Sequence, residues 1–176
     1  MLDNLFLHEK DLSKSAKKHK DNKFALLCSA ADQFVVERQI NSKPSSTILA
    51  GFPWFLDWGR DTFIALPGLL LETGRYEQAA SVLTTFADAV SRGMIPNRFD
   101  DYDNTPHYNS IDASLWFIYS SFEYLRKSYD EKLFHEKLLP AIQQIIDCYQ
   151  NGTRDGIHAE PDGLISGGDE NTQLTW

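Results

Sequence analysis

Apolar residues return at helical spacing in about five stretches of this chain, and the stretches alternate between two kinds. In the first, Phe24, Leu27, Cys28, Ala31 and Val35 fall at i, i+3, i+4, i+7 and i+11, a single helix face. Residues 41–46 break that pattern, and Thr47-Ile48-Leu49-Ala50 reads as a short strand. Residues 61–71, DTFIALPGLLL, are apolar on every side, which predicts a helix buried on every side. Pro67 within it predicts a kink or a late helix start, and Thr73-Gly74 supplies a stop. Residues 75–92 return to one stripe through Tyr76, Ala79, Ala80, Leu83, Ala87 and Val90, closed by Gly93. After a loop rich in Pro, Asn and Asp, residues 110–127 are again apolar nearly all round, through Leu115-Trp116-Phe117-Ile118-Tyr119. Residues 131–150 carry a stripe of Phe134, Leu138, Ile142, Ile145, Ile146 and Tyr149, and Gly152 ends it. The rest, to residue 173, is turn-rich and not helical in pattern.

Helices exposed on one side form an outer ring, and helices covered on both sides form an inner one. The order striped, greasy, striped, greasy, striped therefore predicts an all-α fold, part of an α/α toroid with outer and inner helices alternating. An α-solenoid, whose helix pairs also alternate in burial, stays open beside it, although no fixed-period repeat is visible. Residues 1–22, rich in Lys, Ser and Asp, read as a lead-in from an upstream region, and residues 23–176 as the toroid portion. A closed double ring of six pairs calls for about twelve helices of ordinary length. Thr175 looks like the N-cap of a further helix, so the chain is expected to be the N-terminal piece of a longer domain. In such a ring the inner helices open at one end. Here they open after Trp58-Gly59-Arg60-Asp61 and after Tyr108-Asn109-Ser110-Ile111-Asp112, with a third opening at Thr175-Trp176. Three such segments at one mouth would make a pocket.

Composition narrows the function. Of 176 residues, 42% are hydrophobic and 24% charged, which suits one packed domain. A net charge of −8 makes nucleic acid an unsuitable partner and fits a neutral substrate. Cys28 and Cys148 stand alone, each on a predicted helix face, so core packing in a reducing, cytoplasmic setting is expected. No segment has the apolar run of a secretion signal or a membrane span.

Candidate chemistry gathers at the predicted helix openings. Trp54, Phe55 and Trp58 stand beside Asp57, Arg60 and Asp61. Aromatic rings stack on the apolar faces of sugars, and Arg with Asp can grip vicinal hydroxyls through charge-assisted hydrogen bonds. A structural Arg60–Asp61 ion pair with Asp61 as a cap is the plainer account. Asn109 reads as an N-cap, with Asp112 one turn on either facing the mouth or favouring the positive helix end. The acidic loop at residues 100–104 lacks the turn glycine and distal Glu of a calcium loop and reads as solvated. No metal site, P-loop, dinucleotide turn or Ser/His/Asp arrangement stands out. Two classes remain: a carbohydrate-active enzyme, or a non-catalytic helical scaffold that binds glycan or protein. Clustering of the Trp and acidic residues favours the enzyme.

The same segments carry a resemblance. TILAGFPWFLDWGRDTFIALPGLLLETGRYEQAASVLTTFA at residues 47–87 resembles the C-terminal amylo-α-1,6-glucosidase region of glycogen debranching enzymes, prokaryotic members especially. So do GMIPNRF at 93–99, YNSIDASLWFI at 108–118, GTRDGIHAEPDGLISGG at 152–168 and QLTW at 173–176. The resemblance implies an (α/α)6 barrel, hydrolysis of the α-1,6-linked glucose at a branch point, and a branched α-glucan (glycogen, limit dextrin) as partner. Carried over by position, Trp58, Arg60 and Asp61 would clamp the terminal glucose, with Asn97, Arg98, Asn109, Asp112 and Trp176 as further wall. The family continues past Thr-Trp with Met and Asp. That Asp, two residues beyond Trp176, would be the general acid, with the base further on, so the 176-residue chain alone is expected to be inactive. The implied mechanism is inverting, with a carboxylate pair roughly 6.5–9.5 Å apart and no metal or organic cofactor. Other toroid sugar enzymes (trehalase, glucoamylase, epimerase) stay open as alternatives.

Overall fold

The structure, a computed structural model, describes residues 22–40, 43–51, 57–100, 105–170, 172 and 175. It is mostly helical. The helices are α1 (Asn22–Asp32), α2 (Gly59–Leu66), α3 (Tyr76–Asp88), α4 (Asp112–Ser128), α5 (Glu131–Leu133) and α6 (Leu139–Asn151). A π-helical turn, Pro67–Leu71, continues α2, and another, Phe134–Leu138, joins α5 to α6. Three two-stranded antiparallel ladders accompany them: β1 (Val35–Ile40) with β2 (Lys43–Ile48), β3 (Arg98–Phe99) with β4 (Pro106–His107), and β5 (His158–Ala159) with β6 (Ile165–Ser166).

Contacts along the rods set their directions. Arg60 at the start of α2 pairs with Asp112 at the start of α4, and Lys127 near the end of α4 pairs with Glu72 just past the π turn. The two greasy helices therefore run parallel, with their N-termini together. Between them in sequence, α3 runs the other way, since its late residue Phe86 packs edge-on to Phe63 of α2 at 4.8 Å. The end of α6 likewise returns to the start of α4, where the Tyr149 hydroxyl donates to the Ile111 carbonyl at 2.5 Å. Short connections between successive rods impose this up-and-down order.

Pro67 explains the middle of the molecule. Proline has no N–H, so the carbonyl of Phe63 four residues earlier loses its helical donor. The Ser120 hydroxyl of α4, fully buried, donates to that carbonyl at 2.6 Å. Downstream the ladder lengthens by one residue, with the Glu72 N–H reaching the Pro67 carbonyl at 3.0 Å. Around this join, Phe63 also meets the edge of Phe117 at 5.5 Å, and Phe86 meets Phe99 at 5.2 Å. The buried residues of α4 are mostly small, Ala113, Ser114, Ser120 and Ser121, with Phe117 and Tyr124, and Phe117 and Ser120 among them meet Phe63 of α2. Small side chains let the two backbones approach.

Several sequence expectations shift. Val35 belongs to β1 rather than to the first helix, which ends at Asp32, and Leu27 is exposed. The buried face of α3 runs through Ala79, Val82, Leu83 and Phe86, while Tyr76 is exposed. The greasy helices are not covered on every side by described residues: Ile64 of α2 and Leu115, Tyr119 and Phe122 of α4 are exposed. Of these, Phe122 also packs at 5.2 Å against Phe134 of the turn that joins α5 to α6. Cys28 is buried and Cys148 half-buried, and both are free. No helix among the described residues is long and apolar enough to cross a membrane.

Two substitutions test this packing. Ser120→Ala leaves the Phe63 carbonyl buried without a donor and is expected to cost about 1–3 kcal/mol in urea unfolding. Gly93 has φ +81°, and a Cβ there would fall 2.2 Å from the Cys148 Cβ. Gly93→Ala is expected to cost about 2–4 kcal/mol by the same measurement, from backbone strain and overpacking together; an unchanged midpoint in either variant contradicts the arrangement.

Candidate functional site

Helix α2 begins without a cap of its own. Trp58 at its N-cap is extended (φ −107°, ψ 131°) and offers no side-chain bond. The first free N–H groups go to Asn97 instead, since Gly59 N–H donates to its carbonyl at 2.7 Å and Arg60 N–H to its Oδ1 at 3.3 Å. Such donors must find partners when buried, and Asn97, 2% exposed, serves both. Only glycine fits at 59, because a Cβ would meet the Pro96 carbonyl oxygen at 2.4 Å. The interlock continues as a bridge between Trp58 and Arg98, whose guanidinium carbon stands 6.0 Å from the indole centroid.

The start of α4 supplies the opposite wall. Asp112 accepts from Arg60 Nε at 2.7 Å on one oxygen and from the Ser110 hydroxyl at 2.7 Å on the other. That hydroxyl also lies 3.1 Å from the Thr175 carbonyl oxygen, and its single proton serves one acceptor at a time. The three segments that the sequence places at helix openings therefore meet. The pairing is not the one expected: Arg60 bonds to Asp112, not to its neighbour Asp61. Nor does Asn109 cap α4, since Ile111 holds the N-cap position. Asn109 is half-buried, and its Oδ1 is shielded from solvent without a hydrogen bond. Tyr108, beside it, is turned to structure: its hydroxyl donates to the Ala89 carbonyl at 2.7 Å, and Arg154 covers its ring at 4.4 Å. Burial raises the Tyr108 phenol above its ordinary pKa against the pull of Arg154. Behind Asp112, burial pushes the Tyr149 phenol up to about 12, and the Asp112 charge adds to the push; both phenols are neutral near pH 7.

Beside this junction lies an open cleft of about 540 Å³ along α2, lined by Arg60, Asp61, Ile64, Ala65, Gly68 and Leu69, with Phe34, Leu49 and Ala50 facing them. The volume is in the range of small-molecule sites. Asp61 sits at its edge in the first turn of α2, where the positive helix end favours a carboxylate, and its carboxylate accepts no hydrogen bond among the described residues. Arg60 is common to the cleft and the Asp112 pair. Trp58, Asn97, Arg98, Asn109 and Asp112 do not line the cleft. Trp54, Phe55 and Trp176 lie outside the described residues. Sequence reasoning missed Ser110 as the link to Thr175, and missed Arg38, which reaches the Asp57 carboxylate just ahead of Trp58. Neither had a local signal, because both act across long sequence separations. Among the described residues no group of three His, Cys, Asp or Glu side chains could hold a metal ion.

Comparison with known proteins bears on the same segments. A profile of the family described as amylo-alpha-1,6-glucosidase matches residues 29–176. The chain is also similar to the glycogen debranching enzyme of Saccharomyces cerevisiae, at 38% identity over 98 residues. That stretch covers 52% of this chain and 6% of the yeast protein, so the chain spans a small part of its relative's length. With the profile running through every segment of the helix-opening junction, the chain belongs to the amylo-α-1,6-glucosidase family.

Proposed function

We propose that this chain supplies the first wall of the glucose site in an enzyme that hydrolyses α-1,6-linked glucose at branch points of glycogen or limit dextrin. The observation that carries the reading is the 2.7 Å bond from Arg60 Nε to Asp112, which holds the openings of two parallel helices together beside a sugar-sized cleft. Within it, Asp61 is the hydroxyl acceptor, a carboxylate with no hydrogen bond to the described protein. Arg60, anchored through Nε, keeps its two Nη groups for donation to the same sugar. Outside the cleft, at its mouth, Trp58, with the Arg98 guanidinium 6.0 Å from its ring, is the stacking surface, and Asn109 is further wall. Asn97 acts through the helix start it caps.

The reading extends to the fold and the chemistry. Parallel inner helices separated by antiparallel outer ones support an (α/α)6 toroid. The exposed residues Ile64 of α2 and Leu115 and Tyr119 of α4 would line its centre. An inverting pair of carboxylates would act there, one protonating the glycosidic oxygen and the other activating water on the opposite face. By resemblance the acid stands two residues past Trp176. The contact between Ser110 and Thr175 supports bringing that segment to the junction. A neutral branched glucan suits a net charge of −8. The reaction calls for no metal or organic cofactor, and a cytoplasmic setting agrees with two free cysteines.

The test is glucose release from a limit dextrin by the enzyme that contains this chain. Asp61→Asn is expected to lower kcat/KM at least about 100-fold, ~2.7 kcal/mol of transition-state stabilisation. Its melting temperature should stay within about 2 °C of wild type, because little protein stability rests on that carboxylate. Full activity in Asp61→Asn removes the clamp.

A further inference from the structure

Next to the Trp58–Arg98 bridge is a buried ion pair that no sugar would touch. Asp57, the residue before Trp58, is 3% exposed. One of its oxygens accepts from Arg38 Nη1 at 2.6 Å and the other from the Thr47 hydroxyl at 2.8 Å. The second arm of the same guanidinium, Nη2, donates to the Asp100 carbonyl at 3.0 Å. Arg38 and Thr47 belong to the β1–β2 hairpin, which docks on α3 where Ser45 Oγ meets Thr85 Oγ1 at 2.7 Å.

The geometry points to Arg38 as the positioning residue for the aromatic platform of the site. Trp58 and Arg98 face each other as an isolated antiparallel bridge. Asp57 lies one residue before the first of them and Asp100 two residues after the second, on the same outer side of that bridge. One guanidinium thus ties the Asp57 side chain to the Asp100 backbone just outside the Trp58–Arg98 bridge and limits how far the two segments can separate. Its planar fork allows two bonds at once in a set direction. A lysine ammonium is a point charge without that fork. It could neutralise Asp57 but would not hold the Asp100 carbonyl in the same plane. The ordering effect exceeds what a solvent-exposed pair supplies, because Asp57 is shielded and both its oxygens are used. The hairpin is in this view the frame of the platform, tied on one side to α3 and on the other to the site.

The consequence for ligand binding rests on the glucan reading above, whereas the effect on the indole does not. The experiment therefore has two arms. The full chain is labelled with 5-fluorotryptophan, its fluorine resonances are assigned with single Trp→Phe variants, and isomaltose is titrated. In Arg38→Lys the Trp58 resonance is expected to shift or broaden while that of Trp116 stays in place. Isomaltose affinity should fall at least tenfold, and in a Trp58→Ala background the same change should cost less than twofold. An unmoved Trp58 resonance, or an equal loss of affinity with and without the indole, overturns the positioning role. If wild type takes up no isomaltose, the glucan reading fails and the fluorine resonance alone decides for Arg38. Should Arg38→Lys not fold, Arg38→Gln with Asp57→Asn removes both charges together and is judged by the same resonance.

Discussion

The arrangement turns on one ion pair, Arg60 to Asp112. Arg60 lies in the first turn of α2, where the partial positive charge of the helix end disfavours a cation. Asp112 lies in the first turn of α4, where the same effect favours an anion. Bonded at 2.7 Å, with both side chains about four-fifths covered, each offsets what the other lacks. The pair is worth on the order of 1–2 kcal/mol, far less than the apolar burial around it. What it supplies is register: two helices that need only pack become two helices whose openings must coincide. The Ser110 hydroxyl lies within reach of both that carboxylate and the Thr175 carbonyl and donates to one of them at a time.

The helices can hold this register because their contact face is small and polar in a controlled way. Pro67 would leave a carbonyl orphaned in the core, and Ser120 meets it from the neighbouring helix. Ser114 does comparable work at the other end, accepting from the Ile95 N–H at 2.9 Å and donating to the Gly93 carbonyl at 3.3 Å. Each hydroxyl replaces a bond the helix or loop could not make for itself. Large apolar residues of α4, Leu115, Tyr119 and Phe122, stay exposed, Phe122 with one edge against Phe134.

The alternation of striped and greasy segments was legible in the sequence because burial writes itself into periodicity. The end of α6 follows from the stop signal at Gly152 and that of α4 from the left-handed Tyr129, whereas α3 ends at Asp88, ahead of the stop expected at Gly93. The β1–β2 hairpin was hidden, since Val35 happens to continue the i, i+7, i+11 series of α1. Its strand character rests on Ser45 and Thr47 meeting α3 and Asp57, which no local pattern records. The three opening segments could be named from composition, but not their pairing. Arg60 has an acid next to it in sequence and chooses one 52 residues away. Asn97, expected as a wall residue, caps α2 from a distant loop, a role its local sequence does not record. Local chemistry identified the participants, and tertiary contacts assigned their partners.

The chain belongs to the amylo-α-1,6-glucosidase family, and the helix-opening junction lies within the matched region. A family profile spans residues 29–176, and the junction it covers sets an anchored arginine next to a carboxylate, Asp61, that has no partner among the described residues, beside a cleft. The account stands on sugar being held where those two helices open. The most direct measurement is amide chemical-shift mapping of the ¹⁵N-labelled chain during titration with isomaltose or panose. Perturbations are expected to cluster at residues 58–61, 97–98 and 109–112. Perturbations confined to the β5–β6 hairpin or the outer faces of α3 and α6, or none at millimolar sugar, contradict it.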